Sequence, residues 1–206
     1  MRAKLAHFWV GLTAAIALAG CATSGEERSA QYAALVDAGN RIPAVPIDRV
    51  PAQYHRQIVP YQTSEKPGTI IVETGPKFLY YTLGGGKAIR YGVGVGAAGY
   101  AWHGVAYVGH KREWPDWYPT PTLTALEKEK YGLDVPPRWP GGLSNPLGAR
   151  ALYLYDEHGD TLYRLHGTPQ WSSIGKSVSG GCIRLFNQDI IDLYNRAGMG
   201  AKVIVS

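Results

Sequence analysis

Two residues of this chain have the chemistry of a nucleophile and its base. Cys182 follows Ser179-Gly180-Gly181 and precedes Ile183-Arg184, and His166 is followed by Gly167. A thiol at neutral pH is mostly protonated and a weak nucleophile, whereas a thiolate beside an imidazolium attacks carbonyls readily. Fifteen residues lie between the two, enough for a loop that leaves one strand end and returns to an adjacent strand. The paired glycines give the sulfur little cover and free the backbone for conformations closed to other residues. The N–H groups of Gly181 and Cys182 can aim at one developing oxyanion, so Ser179, Gly180 and Gly181 are candidate oxyanion or substrate-binding residues. Arg184 shares the face of Cys182 if the chain is extended there, and either holds a substrate carboxylate or pairs with a nearby acid. The Gly167 carbonyl is placed to orient the imidazole.

The competing reading of a lone cysteine is a small apolar filler of the core. Cysteine usage argues against it. The chain has two cysteines, and the other, Cys21, closes Leu18-Ala19-Gly20-Cys21 behind the apolar run Trp9–Leu18 and the basic Arg2 and Lys4. That run is too short to span a bilayer comfortably and ends in small residues, as a secretion signal does. Cleavage before Cys21 and lipidation of its thiol are expected, with several acyl chains giving a stable membrane anchor. Ala22 after it favours the outer membrane, by likeness to bacterial lipoproteins. Cys182 is then an exported thiol without a disulfide partner, which calls for a chemical reason. A zinc site from Cys182, His166 and His158 lacks a fourth ligand and short pairwise spacing; no metal and no cofactor are expected.

Removing residues 1–20 takes two of the 21 basic residues and none of the 16 acidic ones. The remaining excess of three positive charges is scattered, which does not point to nucleic acid. Residues 21–67 carry Pro43, Pro46, Pro51, Pro60 and Pro67 without a sustained apolar period, and read as a lipidated tether with a short helix near Gln31–Asp37. Residues 68–206 are the length of one domain.

The elements that must position the pair read as mainly β, a sandwich or partly closed barrel with two short helices. Thr69–Glu73, Phe78–Leu83, Ala88–Val95, Val105–Lys111, Ala149–Tyr155, Thr161–His166 and Lys202–Val205 have strand composition between glycines. Gly84-Gly85-Gly86 predicts a hairpin turn. Thr124 and Glu127 make a capping box for a helix ending near Gly132. Asn187 predicts the cap of a second helix, with Ile190, Ile191, Tyr194 and Ala197 at helical spacing and Gly198 at its end. The Trp114–Thr120 and Pro136–Gly142 segments read as ordered loops. Their tryptophans either wall a substrate groove or anchor the loops to the core.

His166-Gly167-Thr168, Ile174-Gly175 and Val178-Ser179-Gly180-Gly181-Cys182-Ile183-Arg184-Leu185 together resemble the active-site signature of the L,D-transpeptidase catalytic domain, the YkuD family. The resemblance extends to Val93-Gly94-Val95-Gly96, Trp114-Pro115, Asn145–Arg150 and Asp192-Leu193-Tyr194 and covers nearly all of residues 68–206. It implies that Cys182 attacks the bond between the third residue, often meso-diaminopimelate, and the terminal D-alanine of a peptidoglycan stem. It implies His166 as base and later acid, with the Gly167 carbonyl orienting it. A second stem, a lipoprotein lysine or water would resolve the thioester, in the periplasm. Gly180 stands where many members have histidine, which bears on acceptor choice.

Rival enzymes fit less well. Sortases place threonines before the cysteine and a longer gap after the histidine, and papain-like and NlpC-like peptidases reverse the order of the pair. A non-catalytic wall-binding lipoprotein is the rival from another class, and a hydrolase acting on the same stem is the nearer one.

Overall fold

The computed structural model describes residues 29–97, 102–121, 124–125, 128–129, 132 and 134–206. Runs of Ile, Val and Tyr become strands because such side chains fit a pleated, half-buried surface. In chain order these are β1 (Leu35–Asp37), β2 (Asn40–Ile42), β3 (Gln57–Pro60), β4 (Ile70–Glu73), β5 (Phe78–Gly84), β6 (Lys87–Gly92), β7 (Val95–Gly96), β8 (Gly104–Glu113), β9 (Arg150–Asp156), β10 (Gly159–Thr168), β11 (Ser177–Ser179), β12 (Ile183–Phe186) and β13 (Lys202–Val205). Helix α1 (Asn187–Arg196) lies between the last two.

Nine strands form one sheet in the order β12-β10-β9-β8-β13-β4-β5-β6-β3. The fold is mainly β, as expected, but the sheet is not closed into a barrel. It bends until Gly94, just past β6, exchanges main-chain hydrogen bonds of 2.9 and 2.8 Å with Arg184 of β12. This contact divides the single strand expected over Ala88–Val95 into β6 and β7. The β5–β6 turn is the expected glycine turn, with φ of +80°, +59° and +69° at Gly84, Gly85 and Gly86, a region that costs other residues a Cβ clash.

The inner face carries the core. Leu79, Tyr91, Val108, Leu152, Leu165 and Leu185 meet there, and α1 lays Ile190 and Leu193 on them. Each such side chain contributes roughly 1.5–3 kcal/mol by leaving water. On β9, Leu152 and Leu154 point inward and Tyr153 and Tyr155 outward, the two-residue alternation of a strand. The outer face of β10 and β12 is where the chemistry-bearing residues project.

Two helix expectations change in detail. Asn187 is the first residue of α1 rather than its cap. Its Oδ1 instead accepts the Ala149 N–H at 2.9 Å, a tertiary partner that the local sequence does not reveal. In the other helix, Pro121, Thr124, Ala125, Lys128 and Glu129 are helical. Thr124 lies inside it and donates its hydroxyl to the Thr120 carbonyl at 3.2 Å, so it is not the cap; Glu127 falls outside the described residues. The signal segment and Cys21 also fall outside them.

Ser29 to Lys66 differ from the tether expected. Ser29–Gln31 are helical, β1 and β2 form a hairpin where the short helix was expected, and β3 joins the edge of the sheet. Tyr32 and Val50 pack with Ile174 and Phe186, flanked by Tyr54 and Trp171. This strap therefore covers the connection from His166 to Cys182. Asp37 receives bidentate bonds from Arg150, 2.7 and 2.8 Å, and the indole N–H of Trp114 at 2.7 Å. Trp114 is thus a loop anchor, and Trp117 and Trp139 pair through reciprocal main-chain bonds of 2.8 Å.

Candidate active site

β10 and β12 run parallel, with His166 opposite Arg184 and Leu165 opposite Ile183. Paired residues share a face of the sheet. Cys182, two residues before Arg184, enters on the same side as the imidazole, partly exposed. The sequence reading required this common face.

His166 Nδ1–H donates to the Gly167 carbonyl at 2.6 Å, since a carbonyl can only accept. That leaves Nε2 as the nitrogen able to take a proton. Gly167 must be glycine because a Cβ there would run into Asn187 Oδ1. Burial pushes the His166 pKa down to about 4, and the positive Arg184 and Arg164 push the same way; the Gly167 carbonyl opposes them. Burial also pushes the Cys182 thiol up, against a main-chain hydrogen bond from Arg164 and the charges of Arg164 and Arg184. Both shifts favour a neutral thiol and a neutral imidazole over a thiolate–imidazolium pair. Desolvation outweighs pairing here. No hydrogen bond joins sulfur to imidazole; the thiol makes a long 4.0 Å contact with the Leu162 carbonyl.

The glycine turn divides its labour. Gly181 has φ +122° and needs glycine, whereas a Cβ at Gly180 would meet nothing within 4 Å. The turn therefore does not require glycine at position 180 for want of space. Ser179 is buried and serves as a brace: its hydroxyl donates to the Cys182 carbonyl at 2.6 Å and accepts the Gly181 N–H at 3.2 Å. That bond engages one of the two amides expected to face an oxyanion and leaves the Cys182 N–H as the candidate donor in the turn.

Arg184 is half-buried, and its closest polar partner is neutral, the Gln170 Oε1 at 3.3 Å. Its Nε is buried without a partner, and among the described residues it has no acidic partner. A guanidinium with unmet capacity facing a thiol is equipped to receive a carboxylate. His158, a candidate zinc ligand, sits in the β9–β10 turn against Glu157 at 3.5 Å, at the other end of β10 from His166.

Two positioning roles escaped the reading of the residues, although Asn145 itself lies in a stretch that carries the resemblance. Asn145 is fully buried and its Nδ2 donates to the Pro115, Trp139 and Pro140 carbonyls while Oδ1 accepts the Leu147 N–H. It ties together the two aromatic loops; its place in Ser-Asn-Pro is the only local signal, a turn composition. The other is a bulge in β10 beside the sulfur, which reads in sequence as ordinary strand.

The family model for the YkuD L,D-transpeptidase catalytic domain matches residues 67–205. The probable L,D-transpeptidase YcfS of Escherichia coli K12 is 35% identical over 152 residues, which cover 70% of this chain and 47% of that protein. The probable L,D-transpeptidase ErfK/SrfK of the same organism is 37% identical over 139 residues, 65% of this chain and 42% of the relative. The chain thus spans about half the length of the curated relatives it matches. Among solved structures, one from Brucella melitensis described as a probable carnitine operon oxidoreductase is 40% identical, with TM-score 0.51, covering 76% of this chain and 96% of that one. Its name is at odds with the matched family and stays with that protein. L,D-transpeptidase 3 from Mycobacterium tuberculosis shares the fold at 16% identity, with TM-score 0.50 and coverage of 67% and 60%.

Proposed function

Because this chain belongs to the YkuD family of L,D-transpeptidase catalytic domains, we propose that it cuts and rejoins peptidoglycan stem peptides through a thioester on Cys182. His166 Nε2 takes the thiol proton as sulfur attacks the carbonyl between the third residue and the terminal D-alanine. The same proton then passes to the departing amine, so that D-alanine leaves and the stem remains as an acyl group on sulfur. An incoming amine gives its proton to Nε2 as it attacks the thioester, and the proton returns to the released sulfur. The acceptor amine comes from a second stem or a lipoprotein lysine; with water the same steps give an L,D-carboxypeptidase.

The observation that carries this reading is the shared face of His166, Cys182 and Arg184, with the imidazole held in one tautomer by the Gly167 carbonyl. Burial of the base favours a mechanism in which proton removal accompanies attack, rather than one that begins from an ion pair. The Cys182 N–H is the proposed oxyanion donor, with Ser179 and Gly181 bracing the turn, Gly180 leaving it open on one side, and Arg184 holding a stem carboxylate. No cofactor or metal enters the scheme. Residues 68–206 are proposed as the catalytic domain of a periplasmic lipoprotein, anchored through Cys21 to the outer membrane.

Incubation with tetrapeptide muropeptides tests the assignment. The wild type releases D-alanine and accumulates a thioester adduct visible by mass; Cys182→Ala does neither. Release that persists in the Cys182→Ala variant would overturn the nucleophile.

A further inference from the structure

Between Asp160 and Arg164, β10 advances four residues while β9 advances only from Tyr155 to Tyr153. The surplus folds into a bulge whose middle residue, Leu162, sits at φ +62°, a conformation costly for a side chain with a Cβ. Leu162 is also 67% exposed, so burial of its side chain does not compensate. What holds the bulge is polar. Asp160 Oδ1 accepts the Leu162 N–H at 2.9 Å, and its two oxygens take the Arg164 guanidinium at 2.6 and 2.8 Å. Arg164 Nη1 also donates to the Tyr163 carbonyl at 2.9 Å, and its guanidinium lies 4.3 Å over the Tyr153 ring. Thr161 closes the far side, donating to the Leu154 carbonyl at 2.7 Å and accepting the Tyr163 N–H at 3.2 Å.

The bulge faces the sulfur. The Leu162 carbonyl is the contact found at 4.0 Å from Cys182 Sγ, and the Arg164 main chain lies one register step before the Leu165–Ile183 pair. We propose that this bulge is a main-chain cradle for Cys182, with Asp160 as the positioning residue that holds it. The Leu162 carbonyl accepts the thiol hydrogen at rest, and the Arg164 N–H donates to the thiolate sulfur once His166 has taken the proton. Bulges beside active sites re-aim groups in this way. The inference deepens the proposed acyl transfer and rests on Cys182 being its nucleophile. The direction of the Cys182 titration supports it, since the Arg164 main chain is the first influence opposing burial there. The other charged or titratable groups facing the sulfur are Arg164, Arg184 and His166.

The test reads the sulfur without any stem peptide. The full chain is alkylated with iodoacetamide between pH 5 and 10, and modification of the Cys182 peptide is followed by mass spectrometry. Asp160→Asn is expected to slow alkylation at pH 7 by about tenfold and move its midpoint upward, the scale of one weakened hydrogen bond to a charged group. Loss of a negative charge alone would act oppositely, favouring thiolate and quickening the reaction. Slowing therefore reports lost positioning. A wild-type or faster profile for folded Asp160→Asn overturns the cradle. If that variant does not melt cooperatively, Arg164→Lys decides: it keeps the charge and the N–H but breaks the bidentate clamp, so a slowed profile supports the cradle and an unchanged one overturns it. Stem-peptide turnover by the wild type reads the proposed function separately.

Discussion

His166 donates its only neutral-state proton to the Gly167 carbonyl, so Nε2 is bare, and burial keeps it so down to about pH 4. A base that stays unprotonated across the working range sets an acid limit lower than an ordinary histidine would. The pH profile of kcat/KM for D-alanine release should therefore fall on the acid side near pH 4 rather than near 6.5. His166→Ala should cost roughly a hundredfold or more and erase that limb; a limb that stays in the variant would assign it to another group. Stability follows the same sign. Between about 6.5 and 4 the unfolded chain binds a proton at His166 that the folded chain refuses, so folding loses stability as pH falls through that window. That the two residues come together was legible in sequence from type and spacing. Their charge states were not, because burial depends on the strands that β10 and β12 lie against.

At the scale of elements, the strap and α1 meet over one carboxylate. Asp189 is fully buried in the first turn of α1, accepts the Tyr32 hydroxyl at 3.1 Å, and lies 3.7 Å from the Arg56 guanidinium, which is 3.3 Å from Asp192. Burial pushes its pKa up to about 7; Arg56 and Tyr32 oppose this, and Asp192 adds to it. The folded chain therefore holds a proton between about 3.8 and 7 that the unfolded chain has lost. The stability this supplies is full below 3.8 and lost as pH rises through 7. Asp189→Asn, neutral throughout, should melt on the order of a few degrees above the wild type at pH 8 and close to it at pH 5. Equal differences at both pH values would show that the carboxylate does not titrate there. The strands of the sheet were legible because Tyr, Val and Ile runs end in glycine. The strap was not: Tyr32, Ile42 and Val50 follow no period, and the partners of Tyr32 lie near the other end of the chain. The β10 bulge was hidden for a different reason, since Thr161-Leu162-Tyr163 has strand composition and the bonds of Asp160, Thr161 and Arg164 that hold the bulge are not marked in it.

For the molecule as a whole, β13 is the seam. It pairs in parallel with β4 and antiparallel with β8, and buries Val203 and Val205. Among the described residues, the main-chain links between the half-sheet β4-β5-β6-β3 and the strands β12-β10-β9-β8 are β13, the Gly94–Arg184 bridge and the β7–β11 pair with its flanking bonds. Deleting residues 201–206 should abolish cooperative thermal unfolding by circular dichroism, because it removes two ladders and the core contacts of both valines. A truncated chain that melts cooperatively near the wild-type temperature would show that the halves dock without it.

In chain order β13 is the last of the described strands, so the strand that unites the two halves is made after both of them. Until it arrives, β4 and β8 present unsatisfied edges and the interior has no lid. The edges exposed meanwhile are where a nascent chain is open to pairing with another chain, and where a chaperone would have to hold it.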